Sequence, residues 1–196
     1  DPVPVVDILA AGGVDVIEVT LTSPGAVETI ASLAAHRPDL CIGAGSVIDA
    51  TLVSLVAEAG AAFYASPVLD VPSIDRAHSL GLLAIPGCAT PSEMIMAKRA
   101  GAQIVKLFPM PQEPASYIRS ILAPLPSLRI APSGGIDDTN AATLLEAGAA
   151  TLNVGSWLTP GCREGVPDLE EIGKRVRRLI VAVASASARR PTTSAE

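Results

Sequence analysis

Aromatic side chains are almost missing: one Trp, two Tyr and two Phe in 196 residues. Yet 49% of the chain is hydrophobic, so a core has to be built from Ala, Val, Leu and Ile. Positive charge is short as well. Lys and Arg number 14 against 20 Asp and Glu, a net charge of -6, which argues against nucleic acid or an anionic membrane as partner. Histidine is confined to His36 and His78, both in helical stretches and read as surface residues, and no metal cluster can be assembled; neither a metal nor any other cofactor is expected. The three cysteines, Cys41, Cys88 and Cys162, are odd in number and widely spaced, which suits reduced thiols in the cytoplasm rather than a disulfide framework. Uncharged stretches are broken by Gly, Pro or Asn153, so no transmembrane helix is expected. The chain begins at Asp1 and not at Met; a native start upstream is the expectation.

What the sequence does contain is a repeat. Seven apolar runs each lead through Gly, Ser or Pro into an alanine-rich helical stretch. They fall near 14–20, 40–47, 62–68, 82–90, 104–109, 129–135 and 150–156. Helix starts such as Ser23-Pro24 and Asp49, and "AG" stops at Gly60, Gly101 and Gly148, separate them. Strands alternating with helices at this spacing mean βα units and a parallel sheet. A dinucleotide-binding sheet would want G-x-G-x-x-G after its first strand, and the nearest stretch, "GAGSV" from Gly43, lacks the third glycine. Polar residues recur instead at the carboxyl ends of the strands, as in barrel sites. The expected fold is therefore α/β, a (β/α)8 TIM barrel, in one domain over residues 1–184. The first strand is expected upstream of Asp1 or absent, because "DPVPVVDILAAGG" reads as the first helix alone. Residues 185–196, small and polar, read as a frayed tail.

Two charges stand where charges are expensive. Lys106 interrupts "IVKLFP" and Glu18 interrupts "VDVIEVT". Strand side chains alternate, so Glu18 shares a face with Val16 and Thr20, and Lys106 with Ile104 and Phe108. With one strand upstream, these are the second and sixth of eight strands, opposite each other across the barrel. An unpaired ammonium or carboxylate leaving water shifts its pKa or finds a counter-charge, so each residue explains the other. The pair is either a structural ion pair or a nucleophile with its proton shuttle. Two Gly/Ser turns bear on the choice. "APSGGID" and "NVGSWL" close the last two strands, where barrels commonly hold phosphate on backbone N–H groups. Ser133, Gly134, Gly135, Gly155 and Ser156 are the candidate contacts. Phe108 and Trp157 read as core or wall residues.

"EVTL", "GAGSV", "PGCAT", "KLFP", "PSGGI" and "GSWL", in this order, resemble the 2-keto-3-deoxy-6-phosphogluconate (KDPG) aldolase family, class I aldolases that include 4-hydroxy-2-oxoglutarate (KHG) and phosphogalactonate aldolases. The likeness runs from about Gly12 to Leu158. It implies a metal-free (β/α)8 barrel, a homotrimer, and a phosphorylated 2-keto-3-deoxy sugar acid as substrate. It carries Schiff-base formation onto Lys106 and proton transfer onto Glu18. Gly45, Ser46 and Thr90 become substrate contacts, with Ser46 at the pyruvyl carboxylate, and the phosphate falls on Gly134, Gly135, Gly155 and Ser156. "PGCAT" and the surroundings of Tyr117 lean toward the galactonate branch. One departure stands out: after "EVTL" the main branch has an arginine for the substrate carboxylate, and here the residue is Thr22. A second class therefore stays open, a phosphosugar-binding barrel of isomerase or epimerase type, or a non-catalytic relative that keeps only the phosphate cup.

Overall fold

The computed structural model describes residues 2–162 and 165–189. The chain opens with α1 (Val3–Ala11), started by Pro2 and Pro4, as the first stretch predicts. Short strands and helices then alternate: β1 (Val16–Thr20), α2 (Ala26–His36), β2 (Cys41–Gly45), α3 (Ala50–Glu58), β3 (Phe63–Ala65) and α4 (Val71–Ser79). After β4 (Leu83–Ile85) and β5 (Gly87–Cys88) come α5 (Pro91–Arg99), β6 (Val105–Leu107), α6 (Pro114–Leu122), β7 (Ile130–Pro132), α7 (Ala141–Glu146) and α8 (Leu169–Ser187). Many helix starts carry their own punctuation. Asp49, Asp70 and Thr90 each accept a backbone N–H of the first turn on a side-chain oxygen.

All strand pairs are parallel, in the orders β1-β2-β3-β4 and β5-β6-β7. The expected strand 82–90 is one run bent at Pro86, which has no N–H to donate. Its first half pairs with β3, and its second half pairs with β6. The two sheets therefore follow one another around a single TIM-barrel-like wall. The expected strand 150–156 is corrected to a single parallel bridge between Ser133 and Asn153. Backbone bonds from Ala150 N–H to Ile130 O and from Asn153 N–H to Pro132 O hold it on one side only. A segment with one neighbour gains half a ladder, and among the described residues no strand stands between it and β1. The ring is thus open in its backbone there, not closed as a full barrel would be. Helix α8 runs on to Ser187, three residues into the stretch expected as a tail; residues 190–196 of that stretch lie outside the described residues.

The core is aliphatic, as the lack of aromatics requires. Ile30, Val53, Ile74, Met94, Leu107, Ile118, Ile130 and Ile172 are fully buried between strands and helices. No helix among the described residues is long and apolar enough to cross a membrane.

Candidate active site

Register decides which side chains point into the barrel. Glu18 is level with Gly43, and Gly43 with Phe63, so all three share the inner face. A Cβ at Gly43 would lie 2.3 Å from the Phe63 ring, so the glycine is the space the ring occupies. On the other sheet Lys106 is level with Gly87 on one side and Ala131 on the other. Two small neighbours leave the lysine room to extend along the barrel interior, and only 8% of the residue is exposed. The lysine in the apolar run is thus stationed in a slot made by Gly87 and Ala131.

Lys106 and Glu18 meet as the sequence predicts. Nζ lies 4.0 Å from Glu18 Oε1, with 10% and 23% of the two side chains exposed. That separation exceeds a direct N–H···O bond. The second carboxylate oxygen is held elsewhere: Asn153 Nδ2 donates to Glu18 Oε2 at 2.6 Å. The Phe108 ring stands beside the ammonium, 5.6 Å from Nζ to its centroid, so this wall residue borders the site. Asn153 is the residue that sequence reasoning passed over. Its only signal was a polar side chain within the run 150–156, weaker than that of Lys106 and Glu18 because an amide carries no charge.

A cluster of hydroxyls lies at the carboxyl ends of β1 and β2. Thr20 Oγ1 is 2.7 Å from Ser46 Oγ and 3.1 Å from Thr22 Oγ1. Ser46 adopts φ +62°, a left-handed conformation that only this non-glycine residue takes among those described. Such strain persists where the surroundings enforce it, and it concentrates at functional sites. Gly45 precedes it, and a Cβ there would lie 2.0 Å from Glu18 Oε1. Gly45 is therefore the clearance for the carboxylate.

The two Gly/Ser turns come together through the Ser133–Asn153 bridge. Gly134 and Gly135 have φ +109° and +63°. The loop is braced from below, with Asn140 Nδ2 donating to Gly135 O and Asp137 N–H donating to Asn140 Oδ1. The Thr139 hydroxyl, opposed by partial burial and helped by backbone N–H groups, holds the Asp137 carboxyl below its ordinary value. Among the described residues no backbone acceptor takes the N–H of Gly134, Gly135, Gly155 or Ser156. A Cβ at Gly135 or Gly155 would meet nothing within 4 Å. Exposed, unpaired N–H groups around open space are what an anion needs. Ser133 is 8% exposed and is anchored by its N–H to Leu107 O.

Thr90 is placed differently from the other candidates. It caps α5, donating its hydroxyl to Glu93 Oε2 and accepting from Glu93 N–H. Its hydroxyl proton is spent on that box. Cys88 just before it is 1% exposed, and burial, with the Glu93 charge, pushes its thiol up to about 12; it is inert as a nucleophile. Tyr117 donates its hydroxyl to Ala89 O and ties α6 to the same turn. His36 and His78 are exposed on α2 and α4, and among the described residues no group of three or more His, Cys, Asp or Glu could hold a metal.

Known proteins resemble this chain over most of its length. The family model described as KDPG and KHG aldolase matches residues 1–175. The KHG/KDPG aldolase of Escherichia coli K12 is 34% identical over 179 residues, 91% of this chain and 84% of that protein. A native KDPGal structure superposes with a TM-score of 0.88 at 30% identity, covering 95% of this chain and 89% of that one. The KDPG aldolase of Legionella pneumophila, solved with pyruvate captured at low pH as a covalent carbinolamine, superposes at 0.82 with 29% identity, covering 90% and 86%. The open alternative of an isomerase or epimerase barrel is set aside by these matches, and the chain belongs to the KDPG and KHG aldolase family of Schiff-base-forming, carbon–carbon-cleaving class I aldolases.

Proposed function

We propose that this chain cleaves a 2-keto-3-deoxy-6-phospho sugar acid to pyruvate and glyceraldehyde 3-phosphate, or the related 4-hydroxy-2-oxoglutarate to pyruvate and glyoxylate, with Lys106 as nucleophile and Glu18 as proton carrier. The observation that carries it is the approach of Lys106 Nζ to Glu18 Oε1 at 4.0 Å inside the barrel wall. The neutral amine adds to C2 of the substrate, and the carbonyl oxygen takes two protons, one from the amine nitrogen and one from the Glu18 carboxyl, and leaves as water. The resulting iminium withdraws electrons from C3. Glu18 then accepts the proton of the C4 hydroxyl while the C3–C4 bond breaks; the aldehyde departs and the bonding pair forms an enamine. Protonation at C3 restores the iminium, and water releases pyruvate and the free amine.

Around this centre, Ser46, Gly45 and Thr22 face the pyruvyl carboxylate, while Ser133, Gly134, Gly135, Gly155 and Ser156 receive the phosphate. Thr90 shapes the rim through its helix cap. A homotrimer in the cytoplasm accords with the family. Pyruvate release from a phosphorylated 2-keto-3-deoxy sugar acid, followed by coupled reduction to lactate, tests the reading. Wild type should release pyruvate, with a lower KM for the phosphorylated than the unphosphorylated acid, and Lys106→Ala should release none. Equal KM values would remove the phosphate from the cup, and an active Lys106→Ala variant would remove the mechanism.

A further inference from the structure

The carboxylate of Glu18 has two neighbours that compete for it. Lys106 Nζ stops at 4.0 Å from Oε1, while Asn153 Nδ2 holds Oε2 at 2.6 Å. A carboxylate only accepts, so the amide presents its NH2 group to it. Asn153 is itself fixed in its backbone by the bridge to Ser133 and its bond to Pro132 O. This contact spans the place where no backbone ladder joins the last segment to β1. An ammonium and a carboxylate free to approach would close to a direct bond of about 2.8 Å. Closed in that way, the carboxylate would fill the space beside Nζ that a substrate carbonyl has to enter. A single oxygen hydrogen-bonded to both ends spans about 4–5 Å, which matches the gap that is kept.

We propose that Asn153 is a positioning residue of the aldolase reaction: its side-chain amide holds Glu18 back from Lys106, so that a substrate oxygen, rather than a direct ion pair, joins the two. It rests on the assignment of Lys106 and Glu18 made above. The amide also leaves Glu18 aimed at C3 of the enamine, whose carbon accepts the carboxyl proton as the nitrogen lone pair re-forms the iminium.

The test is a double-mutant cycle of Asn153→Ser and Glu18→Gln, read by exchange of the pyruvate methyl protons for deuterium in heavy water. Borohydride trapping of pyruvate and thermal midpoints are measured on the same samples. Asn153→Ser should slow exchange at least tenfold, and adding it to Glu18→Gln should change the rate by less than twofold, since the residue acts through Glu18. Losses that multiply across the cycle, or exchange at the wild-type rate in Asn153→Ser, overturn the proposal and leave Asn153 a structural clasp. The near-isosteric Asn153→Leu, which lacks the donor and adds no charge, goes through the same cycle with the same expected outcome, so a folding defect in the serine variant does not decide the matter. Failure of wild type to trap pyruvate would strike the aldolase assignment instead, which keeps the two failures apart.

Discussion

A methyl group at position 45 would fall 2.0 Å from Glu18 Oε1, whereas one at position 43 would fall 2.3 Å from the Phe63 ring. The first collision is with the end of a flexible side chain, and the second is with an aromatic ring packed at 5% exposure. The two substitutions should therefore fail differently. Gly45→Ala displaces the carboxylate: kcat should drop at least tenfold, with little change in thermal midpoint. Gly43→Ala overpacks the interior and should cost about 1–3 kcal/mol of stability by denaturant titration. Thr22 supplies the next test. Its hydroxyl, 3.1 Å from Thr20 Oγ1, is a neutral partner for a carboxylate that a bidentate arginine would hold more strongly. The difference is on the order of 1–3 kcal/mol, or roughly tenfold to a hundredfold in affinity. Thr22→Arg should lower KM for the keto acid by that factor and leave the benefit of the phosphate unchanged. A raised KM would mean that Thr22 does not face the carboxylate.

Helix α5 shows how an element fixes a rim of the site. Thr90 and Glu93 form a reciprocal cap, and Glu93 Oε2 also accepts the N–H of Ala89 and of Thr90. The Thr90 hydroxyl first, then those two N–H groups, hold the Glu93 carboxyl below its ordinary value. A carboxyl whose folded value is lowered contributes stability above its unfolded value and loses it as pH falls through the folded one. Glu93→Ala should therefore lower stability at neutral pH by on the order of 1 kcal/mol, as for a lost cap contact. Wild type and variant should converge in melts taken toward acid pH. The T-x-x-E spacing of Thr90 and Glu93 is a local helix-start signal that the reading of the sequence passed over, and α5 starts where it puts it. The strand 150–156 was not recoverable in the same way. Its apolar run was real, but a strand needs a ladder to a partner, and local composition carries no information on its meeting the end of β7 at the single bridge Ser133–Asn153.

The aliphatic composition and the repeat set the whole molecule, which is why the alternation of the first six runs and the pairing of Lys106 with Glu18 were legible from residues alone. Charges in apolar runs stand out, and period-two alternation sends both to the same interior. Asn153 stayed hidden because a neutral amide in a Gly-rich segment resembles an ordinary turn residue, and its partner lies 135 positions away. Pro86 likewise bends one run into two strands, a long-range accommodation to neighbours on either side. What unites these features is the proposed role of the interior Lys106 in forming an imine. Borohydride reduction with pyruvate, followed by peptide mass mapping, probes that most directly. The expected result is a reduced pyruvyl group on the peptide containing Lys106, and none in Lys106→Ala. No adduct in wild type, or an adduct on Lys98 or Lys174, would contradict it.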